Sequence, residues 1–417
     1  MAVQNRKQAG ANKQALRVSS KIAPQITKYY LKISKRYQTA CALFIIVLLV
    51  YLIFILGAYG EYITYANLQY LLRDIDTISS SGESSFSQIK YNSQSEQTFA
   101  VFKNGLATAG KESVSLFDSS GLLLCEDTIS FSDPVLVPSN KYLMLYDIGG
   151  NSYAVYNSIT RIVSRQTDYK IVDGDMSDSG AFILVTRSNE TKYVVEVYNS
   201  ALNHTMNIYK DNYVMDTAIS KDGKRIVVCS AVPSATDFDC EIALYTEGNG
   251  EMFNKIVLSQ TMPLYVRFLE DGFAVLCDNG LYFYDEDGVN VSSYLFSGMT
   301  LEYADLSEEY IVLAGSENAL GSENRILVFE KNGTLLYNDI VKERINSVCA
   351  PVSNNGKAIA YLQTPENVIQ LSASKENEET EYTLEKASIR EEDVLSIRAA
   401  DNGIVVCRAT GAYYLFK

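Results

Sequence analysis

The sequence predicts an all-β protein, an eight-bladed β-propeller preceded by one transmembrane α-helix and a short helical stalk. Three observations support this prediction. Two different strand-and-turn motifs return along the chain at the spacing of a propeller blade, and a long uncharged apolar stretch lies near the N-terminus. A seven-bladed ring is the alternative.

The first motif is a short apolar run that ends in an aromatic residue, followed by an acidic or polar residue and a tight turn. It reads SVSLFDSSG at residues 113–121 and LYFYDEDG at residues 281–288. The aromatic residue returns about every 40–45 residues, which is the length of a blade of four strands. Because these aromatic residues lie on strands, we expect them to pack inside the fold. The clearest copies are Phe117, Tyr156, Tyr198, Tyr245, Tyr284 and Phe329.

The second motif precedes the first in each repeat and consists of a strand, a polar turn and a β-branched run. Glycine after a polar residue supplies the positive φ that a tight hairpin needs. The motif occurs eight times, which predicts eight blades, each with strands A to D in chain order. Six copies contain Gly105, Gly180, Gly223, Gly272, Gly356 and Gly403, and two copies without glycine contain Lys141 and Glu309.

The last repeat lacks its fourth strand, because the chain reaches Lys417 directly after strand C. A spare strand-like segment, SFSQIKY at residues 85–91, precedes the first repeat. We therefore expect this segment to supply strand D of the last blade. Such an exchange closes the ring and removes two exposed sheet edges.

The N-terminal part of the chain predicts a membrane anchor. Residues 1–38 carry nine basic and no acidic residues, so the remainder has a net charge of −23 against −14 for the whole chain. This basic segment predicts a cytoplasmic tail, residues 39–60 a transmembrane helix, residues 61–84 a helical stalk and linker, and residues 85–417 a propeller outside the cytoplasm. A cleaved signal peptide is the alternative, but its basic and apolar regions are normally shorter.

Composition excludes several kinds of site. The acidic propeller region argues against nucleic-acid binding. His204 is the single histidine, so neither a histidine-rich metal site nor a supported Ser-His-Asp triad is expected. The acidic segment at residues 173–178 lacks the residue order of an EF-hand loop. We therefore expect no metal site and no cofactor.

Two of the seven cysteines suggest a disulfide bond. Cys229 ends one predicted strand, Cys240 begins the next, and an inserted hairpin loop lies between them. A bridge between these two residues would fix that loop. The alternative is that the cysteines of the propeller are small buried apolar residues.

The aromatic motif resembles that of WD-repeat-like propellers, with Phe117-Asp118, Tyr284-Asp285 and Phe329-Glu330 at the place of their Trp-Asp pairs. The whole layout resembles an uncharacterised family of bacterial single-pass membrane-anchored propeller proteins. That resemblance implies the fold and a location in the bacterial cell membrane, but assigns no role to any residue. Quinone-dependent dehydrogenases also have eight blades, but their tryptophan docking motifs are missing from a chain with 0 Trp.

Propeller geometry predicts where a ligand would bind. Strand A lines the central channel, and charged residues on predicted A strands are candidates for a polar binding site there; solvated channel walls are the alternative. These candidates are Asp173, Asp216, Arg267, Asp305 and Arg398. The B–C and D–A turns share one face of the disc, and the longer insertions, residues 230–239 and 316–324, are B–C loops. Surface loops also tolerate insertions without any function, which is the alternative here.

These features predict a membrane-tethered, non-catalytic binding or scaffold module for a protein or cell-envelope ligand on the B–C/D–A face. One alternative is a hydrolase or lyase that acts on envelope carbohydrate or lactone at the axial channel. Another is a ligand sensor that signals through a partner protein. A fold of this kind hosts many unrelated functions, so the repeat itself does not choose among them.

Overall fold

The chain divides into two compact units, Met1–Ile75 and Asp76–Lys417. In the first unit a helix, Ile33–Tyr51, is long and apolar enough to cross a membrane by length and composition. This helix begins before the predicted start at residue 39, and the predicted stalk lies outside the described residues. The computed structural model describes residues 33–51, 53, 88–91, 97–235, 237–248, 250–316, 323–352, 358–375, 382–401 and 403–416.

The second unit consists of eight four-stranded antiparallel sheets, which confirms the predicted eight-bladed propeller. The short first strand, β1, is Ile89–Lys90. Blade 1 contains β2 (Thr98–Phe102), β3 (Gly105–Ala109), β4 (Ser113–Phe117) and β5 (Leu123–Thr128). Blade 2 contains β6 (Pro134–Pro138), β7 (Leu143–Asp147), β8 (Ser152–Tyr156) and β9 (Arg161–Gln166). Blade 3 contains β10 (Ile171–Met176), β11 (Phe182–Arg187), β12 (Tyr193–Tyr198) and β13 (His204–Lys210).

The remaining blades follow in chain order. Blade 4 contains β14 (Tyr213–Ile219), β15 (Arg225–Pro233), β16 (Phe238–Thr246) and β17 (Met252–Leu258). Blade 5 contains β18 (Pro263–Leu269), β19 (Gly272–Cys277), β20 (Gly280–Tyr284) and β21 (Asn290–Leu295). Blade 6 contains β22 (Thr300–Leu306), β23 (Tyr310–Ser316), β24 (Asn324–Glu330) and β25 (Leu335–Val341). Blade 7 contains β26 (Ser347–Cys349), β27 (Ala358–Gln363), β28 (Asn367–Lys375) and β29 (Tyr382–Arg390), and blade 8 contains β30 (Val394–Ala400), β31 (Gly403–Arg408) and β32 (Gly411–Leu415).

Blade 8 is completed by β1, as the segment at residues 85–91 predicted. The sheet order is β1-β32-β31-β30, and Ile89 lies opposite Ala412. The Ile89 side chain is fully buried. The Tyr91 hydroxyl donates to the Arg408 carbonyl oxygen at 2.7 Å, which adds a second attachment beside the short strand. The first and last parts of the propeller are therefore joined within one sheet.

The aromatic-acid motif ends strand C and forms the turn that follows. Phe117 and Tyr284 are buried, which confirms their predicted packing role. Asp118 Oδ1 accepts hydrogen bonds from the backbone N–H groups of Ser120 and Leu122, both at 2.9 Å. A side chain that bonds to its own following backbone stabilises a turn in this way. The same role belongs to Asn157, Asn199 and Asp285.

The hydrophobic core lies between neighbouring blades. Between blades 4 and 5, for example, the Phe273 and Tyr284 rings stack at 5.2 Å in a cluster that also contains Ala218 and Ile242. Gly272 begins strand B beside this contact. Its φ is +154°, and a Cβ atom there would stand 2.0 Å from the Tyr284 carbonyl oxygen. Only glycine permits the two strands to approach so closely.

The predicted loop insertion at residues 230–239 needs correction. Strands β15 and β16 continue through most of it, and Pro233 pairs with Phe238. The additional residues therefore lengthen a hairpin of paired strands instead of forming an irregular loop. The corresponding insertion in blade 6 falls mainly on residues 317–322, outside the described residues.

Cys229 and Cys240 lie on these two lengthened strands. Cys229 is opposite Ile242 and Cys240 is opposite Ala231, so the two cysteines are offset by two positions in the register. Both thiols are buried and free. The disulfide bond between them stays a prediction, which peptide mapping under non-reducing conditions would test.

Candidate functional site

The first strand of each blade lies innermost in the ring, because first strands of neighbouring blades contact one another, as β14 and β18 do. All five charged residues predicted to line the channel lie on these innermost strands. Their positions are Asp173 on β10, Asp216 on β14, Arg267 on β18, Asp305 on β22 and Arg398 on β30. The sequence therefore placed them on the correct element, and their part in binding stays a prediction.

Five innermost strands carry a β-bulge near their start. In each, one residue is skipped in the pairing with the second strand of the blade. A bulge bends the strand and turns side chains in a new direction, and bulges are common beside functional sites. The skipped residues are Val172, Met215, Leu264, Glu302 and Leu395. Four of these five are apolar.

Exposed apolar side chains lie at or near the bulged starts of three innermost strands, those of blades 4, 5 and 8. Each innermost strand is entered from a D–A turn, so its first residues lie at the B–C/D–A face. Among them Tyr213, Met215, Tyr265 and Leu395 are 43%, 40%, 53% and 58% exposed. We call these four residues the apolar rim. Three of them, Tyr213, Met215 and Tyr265, belong to the neighbouring strands β14 and β18, and large exposed apolar side chains on adjacent strands indicate an interaction site.

The carboxylates below the rim connect neighbouring blades. Asp216 Oδ2 accepts a hydrogen bond from the Val266 backbone N–H of the next blade at 2.7 Å. Asp305 Oδ2 accepts one from the Ala350 backbone N–H at 2.7 Å. These aspartates thus hold adjacent innermost strands together.

Arg398 makes the equivalent connection where the ring closes. Its Nε donates to the Phe99 carbonyl oxygen at 2.8 Å, from blade 8 to blade 1. The side chain is nevertheless exposed. Arg398 therefore combines an interblade contact with a charge that remains accessible in the channel.

Asp173 and Asp216 form the most perturbed pair of the channel wall. Asp173 Oδ2 accepts a hydrogen bond from the Thr217 hydroxyl at 2.7 Å. Burial, together with the negative charge of Asp175, raises the pKa of Asp173 to about 6. Burial and the nearby Asp173 charge hold the pKa of Asp216 well above its ordinary value. Removal from water and like charge both oppose ionisation, so this wall holds protons that free aspartates would lose.

Asp175 belongs to the same wall and was missed by sequence reasoning. Its Oδ1 lies 3.6 Å from Arg267 Nη1, and its Oδ2 accepts a hydrogen bond from the Ile219 backbone N–H at 3.0 Å. The sequence contained the signal, because residues two apart on a strand share a face. Asp173 and Asp175 both lie on β10, so the strand that carries the predicted channel residue Asp173 also carries this second carboxylate.

A cavity of about 630 Å³ lies on the opposite face, between the A–B turns of blades 4 and 5. Arg225 occupies its wall, with the guanidinium carbon 5.0 Å from the centre of the Phe253 ring. The same arginine donates to the Glu286 carbonyl oxygen at 2.7 Å and lies 3.2 Å from Asp287. The charges of this cavity wall thus engage one another, which contrasts with the exposed apolar rim.

The described residues contain no group of three or more histidine, cysteine and acidic side chains that could hold a metal ion. His204 lies exposed on the outer strand of blade 3, where its Nε2 is 2.7 Å from Asn207 Oδ1. A single exposed histidine bonded to an amide provides no catalytic pair.

Several solved propellers have a similar shape. Cps50 (Swd1) of Myceliophteria thermophila is 9% identical, with 67% of this chain and 95% of that chain covered and a TM-score of 0.47. The Pan2 WD40 domain of Neurospora crassa is 9% identical over 67% and 87%, with a TM-score of 0.45. Hsv2p of Kluyveromyces lactis is 11% identical over 71% and 98%, with a TM-score of 0.47. At such identities the likeness concerns the fold and identifies no ligand.

No match was found among curated proteins. One family profile, by contrast, matches residues 80–390, which include most of the propeller. The chain therefore belongs to DUF5711, a family of unknown function.

Proposed function

We propose that this protein is a membrane-tethered, non-catalytic binding module whose propeller holds a protein or cell-envelope ligand on its B–C/D–A face. The observation that supports this proposal is the apolar rim, a set of exposed side chains at the starts of the innermost strands of blades 4, 5 and 8. Exposed aromatic and aliphatic side chains provide contact area, and polar groups beneath them provide orientation. Binding sites commonly combine these two features.

The hydrogen bonds of the channel carboxylates favour binding over catalysis. Asp173, Asp216 and Asp305 each accept a hydrogen bond from the neighbouring blade. Each of these hydrogen bonds engages a carboxylate oxygen in holding two neighbouring blades together, which supports a structural role for the three groups. We therefore take the rim above them as the recognition surface.

The proposed location is the bacterial cell membrane, with a cytoplasmic N-terminus and the propeller outside. The helix Ile33–Tyr51 and the basic segment before residue 39 support this arrangement. A cysteine introduced at Leu122, which is 58% exposed, tests it. A membrane-impermeant maleimide added to intact cells should label this cysteine, and labelling only after lysis would contradict the location.

Site-specific photo-crosslinking in intact cells tests the binding face. A photoreactive amino acid replaces Leu395 of the rim in one strain and Leu122 in another. Both positions are 58% exposed, but Leu122 lies in a C–D turn on the opposite face. We expect a discrete crosslinked product from Leu395 that disappears when Tyr265→Asp is added. Equal products from both positions, or none from Leu395, would refute the proposed face.

A further inference from the structure

The outer strand of blade 5 differs from every other outer strand that the structure describes. Outer strands expose one row of backbone N–H and C=O groups, and proteins normally protect such edges with charged residues or proline. The strand β21, with sequence NVSSYL, contains neither charge nor proline. A bulge at Val291 interrupts its pairing with β20, and the outer strands of the five blades before and after it, β5, β9, β13, β17 and β25, have a bulge at the same place. The other outer strands all carry charge, for example LLCEDT in β5, RIVSRQ in β9, MFNKIVL in β17 and LLYNDIV in β25.

One side of β21 is fixed by packing while the other faces solvent. The Tyr294 ring contacts Phe329 of blade 6 edge to face at 5.1 Å. On the alternate side, Val291 and Leu295 are 62% and 63% exposed, and Val289, just before the strand, is 62% exposed. Exposed aliphatic side chains therefore accompany an outer strand without charge or proline. This combination is what pairing with another strand would cover.

The strand is complementary to itself under a two-fold rotation. Antiparallel pairing centred on Ser293 would place Val291 of one copy opposite Leu295 of the other, and no charged residue would lie opposite another. Two other outer strands differ when they are paired about a central residue. Pairing of β9 about Val163 would oppose Arg161 with Arg165, and pairing of β17 about Lys255 would oppose that lysine with itself. Like charges directly opposite destabilise a strand pair.

We propose that β21 is a dimerisation edge, which pairs antiparallel with β21 of a second copy of this chain. Two-fold dimers use the same patch on both subunits, so a self-complementary edge satisfies their requirement. The pairing would join two blades into one continuous eight-stranded sheet. It leaves the apolar rim of both copies free, and so it does not depend on the proposed ligand-binding function.

The first test is the mass of the full-length protein in lipid nanodiscs, measured for the wild type and two variants. We expect a dimer for the wild type and a dissociation constant raised about 100-fold or more by Val291→Lys with Leu295→Lys. Met252→Lys with Val257→Lys on β17 is the matched control, since these residues are 49% and 52% exposed. A monomeric wild type, or equal loss of the dimer in both variants, would overturn the proposal.

The second test is a disulfide crosslink, which remains informative if the lysine variant fails to fold. In a background without Cys41 and Cys125, the two cysteines that are not fully buried, Ser293→Cys should form a covalent dimer on mild oxidation. Ser164→Cys, an exposed position on β9, is the control. Equal crosslinking at both positions would refute the pairing. A crosslink from Ser293→Cys to a different protein in cells would also refute it, because the strand beside β21 would then belong to a partner protein.

Discussion

A buried ion pair joins blades 3 and 4, and its loss should destabilise the propeller strongly. Lys210 Nζ at the end of β13 lies 2.7 Å from Glu241 Oε1 on β16, and their side chains are 7% and 8% exposed. Burial alone would raise the pKa of Glu241, but Lys210 and Lys255 outweigh it and keep this pKa below its ordinary value. The substitution Glu241→Gln keeps the shape of the side chain and removes its charge.

The expected cost follows from what the substitution leaves behind. Lys210 remains buried without a counter-charge, and breaking one partner of a buried pair costs about 3–5 kcal/mol. Lys255 is 46% exposed and can turn into water, so Lys255→Ala should cost no more than about 1 kcal/mol. Replacement of both buried charges, Lys210→Met with Glu241→Leu, should return the free energy of unfolding to within about 1 kcal/mol of the wild type.

Equilibrium unfolding in urea measures these differences. Tyrosine fluorescence reports tertiary structure, because the chain has 30 Tyr and 0 Trp, and circular dichroism reports the strands. Coincident transitions by the two probes establish that free energies can be compared. Two results would contradict this reasoning: a cost below about 1 kcal/mol for Glu241→Gln, or a double variant that is as unstable as Glu241→Gln alone. Either result would mean that buried Lys210 does not need Glu241 as its counter-charge.

Three further predictions concern the channel, the closure of the ring and one hairpin. Since the pKa of Asp173 is raised to about 6, the folded protein binds more protons than the unfolded chain between about pH 4 and pH 6, so stability should fall as the pH rises through this window. The free energy of unfolding at about pH 7.5 should therefore lie below that at about pH 5 by about 1.4 kcal/mol from this group, and Asp173→Asn should reduce the difference; equal free energies of unfolding at the two pH values would contradict the burial of this charge. Ile89→Ala should cost about 2–5 kcal/mol in urea unfolding because Ile89 is fully buried, and a cost below about 1 kcal/mol would mean that β1 contributes little to closure. Gly272→Ala should lower the melting temperature more than Gly248→Ala, because a Cβ at Gly272 meets the Tyr284 carbonyl oxygen at 2.0 Å, whereas nothing lies within 4 Å of a Cβ at Gly248. Equal decreases in melting temperature would show that the positive φ of both residues, and not the close contact, sets the cost.

Local patterns made most of the fold predictable. The aromatic residue and the acid after it mark the end of strand C, because the side chain of Asp118 bonds to backbone groups only a few residues away. The strand that completes blade 8 could be predicted from counting, since one repeat lacked a strand and a spare segment preceded the first. Contacts within one repeat can be predicted because the residues that make them lie close together in the sequence.

Contacts between repeats were harder to predict. The bulge at Leu395 depends on how β30 pairs with β31, and no residue type in β30 predicts this bulge. The pairing of Lys210 with Glu241 joins two blades whose relative rotation is set by the whole ring. The channel candidates lie on the predicted strands, but their hydrogen bonds to the next blade, such as that between Asp305 and Ala350, could only be read from the structure.

The closure of the ring also has a consequence for the order of folding. Ile89 pairs with Ala412, so the first strand of the propeller has no partner until the last hairpin of blade 8 has been synthesised. Contacts between residues so far apart in sequence form slowly, because the intervening chain must be ordered first. Blades 1 to 7 can each pair their own strands as they emerge, whereas blade 8 must wait. We therefore expect the final step of folding to be the docking of β1, with seven blades already formed and the perimeter still open.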